Sequence, residues 1–183
     1  MRPVERAEIL DYVTYGEARS RILEEVMKQK KPRRVHLGEH LTFLFENHET
    51  VRFQIQEMVR VEQIVKEAEI QHEIETYNEL LGREGVLGAT LLIEIDDAVA
   101  RAGLLRDWKG LPEHLFVELA GGEKVYATFD ERQVGEDRLS SVQYLKFATS
   151  GRVPVAIGSD HPLLRATTRL DEEQRAALAS DLA

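Results

Sequence analysis

Apolar positions recur at helical spacing through the first half of the chain and switch to strict alternation near residue 86. Residues 4–30 place Ile9, Val13, Ile22, Leu23, Val26 and Met27 on a helical repeat. The Tyr15-Gly16 step predicts a break there, with an irregular start and a helix near 17–29 ended by Pro32. Residues 39–81 contain neither proline nor glycine and predict one long helix. At 1.5 Å per residue it would run roughly 60 Å. A body of this chain length is only about 35–40 Å across. Such a helix must protrude, bend or pack against a second copy, so an antiparallel pairing with the first helix and a homodimer contact are expected.

GREGVLG, Gly82 to Gly88, punctuates the change of period. ATLLIEID then predicts a strand at about 89–95, and DDAVARAGLLRDW a short helix. HLFVEL and KVYATFD flank Gly121-Gly122 and predict a hairpin with a two-residue turn. VQYLKFAT and VPVAIG flank Ser150-Gly151 as a second hairpin. Asp171 followed by Gln174 predicts a capped C-terminal helix running to about Leu182. The expected class is α+β: an N-terminal helical hairpin containing the long helix, then an antiparallel sheet of four or five strands and a C-terminal helix. Residues 1–85 form the helical region and 86–183 the sheet body, expected as one continuous unit.

Composition narrows the function classes. The 183 residues are 43% hydrophobic and 31% charged, which is globular composition. No apolar run approaches the roughly 20 residues needed to cross a bilayer. MRPVERAEIL has no signal-peptide apolar core, so the cytoplasm is the expected location. Cysteine is absent, which excludes disulfides, thiolate-held clusters and cysteine nucleophiles. The net charge of −9 is uneven: residues 1–37 carry +3, residues 38–85 carry −7 and the remainder −5. An acidic body argues against nucleic acid as a partner, and the basic run KQKKPRR reads as a solvated helix end.

Polar residues interrupt the apolar faces of the predicted long helix. Leu44, Val51, Ile55, Met58, Val59 and Val65 share one sector with His48, Glu62, Glu69 and His72, while Phe43, Phe53, Val61, Ile64 and Ala68 form a second stripe. A helix apolar on two sides is sandwiched between elements or chains. Three explanations compete for its polar groups: a metal site, a partner surface and intramolecular pairing. Glu69-x-x-His72 has the inward spacing of di-iron carboxylate bundles, and with Glu62 it is the candidate metal set for iron, manganese or zinc. Glu62 and Glu69 lie roughly 10 Å apart along a helix axis, so one chain does not complete such a site, and no cofactor is expected. His48, Arg52 and Gln56 are the candidate interaction surface. Local pairing, such as Glu62 with Lys66, accounts for most of these groups without any ligand.

Other chemistry is sparse. Ser159-Asp160-His161 holds the side-chain types of a hydrolase triad, but consecutively, whereas a triad assembles from separated positions. His114 and His161, with Asp160 between them in kind, are candidates for lining a cleft on the sheet. Gly82, Gly85 and Gly88 lack the Gly-Lys-Ser/Thr of a phosphate loop and lead into a strand. Nothing here reads as an enzyme's catalytic signature.

RRVHLG at 33–38, FENHETVRFQIQEM at 45–58, ATLLIEI at 89–95, VQYLKF at 142–147 and DHPLLRATTRL at 160–170 together resemble an uncharacterised bacterial family, domain of unknown function 3501. The resemblance spans nearly the whole chain. It implies no catalytic residues. It does imply a setting, because the family's genes often stand beside those of rubrerythrin-like proteins and iron–sulfur oxidoreductases. The expected function is therefore a non-catalytic accessory or interaction protein of a redox or peroxide-related system, with one of those neighbours as a partner. The alternative is a His/carboxylate metalloprotein centred on Glu69 and His72.

Overall fold

The structure, a computed structural model, describes residues 1–130, 135 and 137–183. Asp11 accepts hydrogen bonds from the backbone N–H groups of Val13 and Thr14 and starts α1 (Tyr12–Lys30). That cap carries the helix straight through Gly16, so the predicted break is absent. A short 3-10 turn at Pro32 leads into β1 (Arg34–Leu37) and β2 (Leu41–Glu46). Helices α2 (His48–Val61) and α3 (Glu67–Asn78) follow, then β3 (Leu87–Ile93) and α4 (Ala98–Asp107). Strands β4 (Leu115–Leu119), β5 (Lys124–Tyr126), β6 (Val142–Phe147), β7 (Pro154–His161) and β8 (Leu164–Arg169) precede α5 (Glu172–Leu182).

The class is α+β. Its strands form two antiparallel sheets, ordered β1-β2-β3-β6 and β5-β4-β7-β8, rather than one sheet of four or five. Alternate residues of both sheets, among them Phe43, Phe45, Leu91, Phe147, Val117 and Ile157, enter one core cluster, so the sheets pack face to face. Leu105 of α4, Trp108 and Leu178 of α5 join the same core. A second cluster joins Val51, Ile55 and Val59 of α2 to Ile70 and Ile74 of α3 and to Val4 and Ile9 of the N-terminal segment. It lies on the outer side of the first sheet, where Thr50 and Gln54 of α2 donate to Glu46 of β2.

Three expectations need correction. The predicted helix over 39–81 begins as a strand, because Leu41–Glu46 is buried at all six positions. A segment covered on both faces is uniformly apolar and shows no period. The helix proper starts at Asn47, whose side chain accepts from the Thr50 N–H in a capping box. It then stops at Val61, where Gln63 takes a positive φ of 49°. The predicted second hairpin does not form either: β6 bonds to β3, and β7 bonds to β4 and β8. Ser150 and Gly151, both at positive φ, turn the chain from one sheet into the other. The first hairpin is present, but Leu119 N–H bonds to Glu123 O and leaves three residues, Ala120 to Gly122, in its turn. The C-terminal helix has the expected Asp171/Gln174 capping box.

Candidate functional site

The N-terminal segment is fastened to the helices by side-chain amides acting as backbone mimics. Gln56 of α2, buried, accepts from Leu10 N–H at 2.9 Å and donates to Leu10 O at 2.8 Å. Asn78 of α3 treats Val4 in the same way, at 2.8 and 2.9 Å. His48 Nε2 lies 2.9 Å from a Glu8 carboxylate oxygen, and Arg2 grips both oxygens of that carboxylate. The Arg2 bonds, with smaller help from a Glu5 backbone bond and His48, hold the Glu8 pKa down at about 2. Arg19 binds Glu57 with two N–H groups, and Tyr15 donates its hydroxyl to the same carboxylate at 2.7 Å. Arg19 chiefly holds the Glu57 pKa at about 2, while burial pushes the Tyr15 hydroxyl up.

These clamps leave a groove of about 720 Å³ between the N-terminal segment, α1 and α2. Leu10, Ile22 and Phe53 give it apolar walls, and Arg21, Arg52 and Gln56 add polar ones. Arg52 and Gln56 from the predicted interaction surface therefore line one groove, with His48 fastening its margin. Gln56 and His48 have internal partners, and Arg52 pairs with Glu49 at 2.6 Å. Among the described residues lining the groove there is no serine, threonine, cysteine or histidine. The arrangement suits recognition by a fixed surface.

The second sheet gathers the other predicted set. His114 Nδ1 lies 3.0 Å from Asp160 Oδ1, and the His114 and His161 rings meet edge to face at 5.2 Å between centroids. Asp160 Oδ2 accepts from Tyr126 at 2.7 Å and from Lys124 at 3.3 Å. The Tyr126 hydroxyl, then His114 and Lys124, hold the Asp160 pKa at about 2. Bonding to Asp160 raises the Tyr126 pKa in return. Burial and the nearby His114 lower the pKa of His161, favouring its neutral ring. Its Nδ1 accepts from Leu163 N–H, which puts the ring proton on Nε2. Gly158 opens this face, since a Cβ there would lie 2.6 Å from the Phe116 ring, over which Lys124 sits at 4.0 Å. His114, Asp160 and His161 thus come together from a 3-10 turn and β7. Tyr126 and Lys124 lie on β5, separated from β7 by β4, and carry no sequence signal; strand pairing of β4 with β5 is what delivers them.

Glu62, Glu69 and His72 line a shallow depression of about 590 Å³ with Met58, Ile64 and Glu73. Glu62 caps the end of α2, and Glu69 takes Lys66 as its partner at 2.8 Å. Among the described residues no three His, Asp or Glu side chains are grouped to hold a metal ion. The basic run 28–34 is largely engaged within the chain. Lys28 pairs with Glu24 and Glu25, and Lys30 lies over the Phe53 ring with its pKa lowered by burial. Arg33 makes a bidentate, buried ion pair with Asp181 of α5. Glu46, also buried, accepts from Thr50, Gln54 and Thr90. Asp181 carries no sequence signal, because its partner Arg33 lies 148 positions away, and Glu46 joins the local Thr50 and Gln54 to Thr90, 44 positions on.

A family model described as "Protein of unknown function (DUF3501)" matches residues 3–182. The chain belongs to the DUF3501 family. A crystal structure of a novel protein of unknown function from Burkholderia pseudomallei K96243 is similar over the full length of both chains, with 31% sequence identity and a TM-score of 0.91. No curated protein matches. Among the described residues no helix of this DUF3501 protein is long and apolar enough to cross a membrane.

Proposed function

We propose that this DUF3501 protein is a non-catalytic accessory or interaction protein of a cytoplasmic redox or peroxide-related system, and that it forms a homodimer. The observation carrying this reading is the groove between the N-terminal segment, α1 and α2. Its walls combine aromatic and arginine side chains, residue types enriched at protein interfaces, with aliphatic ones, on a frame fixed by Gln56, Asn78, Tyr15 and Glu57. The redox setting rests on the gene neighbours of the family, and a rubrerythrin-like protein or an iron–sulfur oxidoreductase is the expected partner. Calorimetric titration of the protein with each co-encoded neighbour tests it. Binding by one of them is expected, weakened at least tenfold by Arg52→Ala combined with Phe53→Ala, as hot-spot truncation does. Binding by neither overturns the partner assignment.

A second reading, the His/carboxylate metalloprotein, is favoured by one observation: Glu62, Glu69 and His72 share a depression. Since one chain does not group three such ligands there, the metal would take further ligands from a second chain. Elemental analysis of protein purified without chelator tests this. Stoichiometric iron, manganese or zinc, lost in Glu69→Ala, supports it, and metal-free protein with no thermal shift on adding those ions removes it.

A further inference from the structure

We infer that the elbow between α2 and α3 is the face on which a second copy of this chain docks, receiving the basic stripe at the end of the partner's α1. This deepens the homodimer reading and rests on it. The elbow lifts two valines into solvent, Val61 at 60% and Val65 at 72% exposure. Beside them lies the depression lined by Met58, Ile64 and Ala68 together with Glu62, Glu69, His72 and Glu73. Lys66 is bonded to Glu69, and the surface combines apolar side chains with carboxylates.

The complement sits on the same chain. Met27 is 48% exposed, Lys31 follows it at i+4 as the C-cap of α1, and Arg34 opens β1 just beyond the 3-10 turn. The other cations of the run are occupied: Lys28 by Glu24 and Glu25, Lys30 by the Phe53 ring, and Arg33 by Asp181. Lys31 and Arg34 form no ion pair among the described residues, and both are exposed. An exposed methionine near two cations thus matches an elbow of exposed valines and carboxylates. The segregation is regional too, with +3 over residues 1–37 and −7 over residues 38–85. A two-fold axis would form the contact twice, since each copy offers both halves. Charge opposition of this kind sets register and partner choice more than raw affinity. The same docking would cover Glu69 and His72 with cations, so it competes with a metal there.

Sedimentation equilibrium at micromolar concentration tests the contact with three full-length variants. Lys31→Glu with Arg34→Glu, and separately Glu62→Lys with Glu69→Lys, should each weaken the dimer at least tenfold. The four-fold charge swap should restore it, and the wild-type dimer should loosen with added salt. Thermal melts of each variant show that the fold persists. A wild-type protein that stays monomeric overturns the dimer reading itself. A dimer indifferent to both reversals overturns only this placement, as does a loss that the swap fails to repair.

Discussion

Between the two sheets the core is almost wholly apolar, with 22 buried hydrophobic residues among those described and Gln143 of β6 as a buried polar intrusion, whereas the helical layer over the first sheet gathers eight. The helical layer replaces the missing apolar area with polar fastenings: Gln56 to Leu10, Asn78 to Val4, and Glu57 to Tyr15, Arg19 and Arg60. The two regions therefore depend on different physics. Apolar burial is non-directional and tolerates adjustment, while bidentate amide and carboxylate bonds fix geometry and fail when one partner is removed. A surface that must present a fixed groove is better served by the second kind, and the groove lies among those fastenings.

A charged exception to this comparison carries the largest expected effect. Arg33 and Asp181 form a charged pair with side chains only 6% and 5% exposed, tying the end of α1 to α5 beside the sheet core. Removing either partner leaves a buried charge alone, so Arg33→Ala or Asp181→Ala should lower stability by about 3–5 kcal/mol. Urea unfolding measures it. A loss below about 1 kcal/mol would show that water reaches the orphaned charge and that the sheet body needs no such tie.

In the helical layer, Gln56→Ala removes both bonds to the Leu10 backbone and should reduce stability by about 1–2 kcal/mol, given that Leu10 is partly exposed. Hydrogen exchange should rise locally over residues 1–10 and stay unchanged in the sheets. Uniform acceleration would mean that the two regions unfold as one unit.

Acid sharpens the contrast further. Glu8 and Glu57 have pKa values of about 2 in the folded chain, below the usual carboxylate value of 4.5. A depressed folded pKa contributes stability that is fully present above 4.5 and is lost as pH falls towards about 2. Glu57→Gln should remove its share of that slope and weaken the protein by about 1 kcal/mol at neutral pH, where its partners are partly exposed. Asp160, also at about 2, gives the second sheet a similar but separate slope. Stability curves from pH 2 to 7 for Glu57→Gln and Asp160→Asn assign the two.

How far the sequence could be read follows the same division. Alternation after residue 86 revealed β3, β4, β5, β6 and β7, and the Asp171/Gln174 spacing revealed α5. Arg34–Leu37 and Leu164–Arg169 are short and mixed in character, so β1 and β8 left little trace. Leu41–Glu46 looked helical because both of its faces are buried; Asn47 with Thr50 was the signal that could have placed the helix start correctly. His114, Asp160 and His161 were legible as residue types that favour a polar site. Their partners Tyr126 and Lys124 were not, since only strand register brings them near.

The smallest expected effect concerns the residue that ended the predicted long helix. Ile64 N–H bonds to Val59 O and Gln63 N–H to Arg60 O, the paired bonds of a Schellman motif with Gln63 in the left-handed position. Ile64 then folds back into the cluster that holds Val59, the hydrophobic contact that accompanies such caps. Glycine is the usual residue at that position because it has no Cβ to clash. Glutamine there carries no sequence signal for a helix end, so the sequence predicts an unbroken helix. Gln63→Gly should stabilise the protein by up to about 1 kcal/mol, the left-handed strain removed less the added freedom of the unfolded chain. Gln63→Val should lower stability, because a β-branched side chain is worse still at positive φ. Paired urea curves decide it: if glycine destabilises, the elbow is held by tertiary packing around Ile64, and the cap follows from that packing instead of directing it.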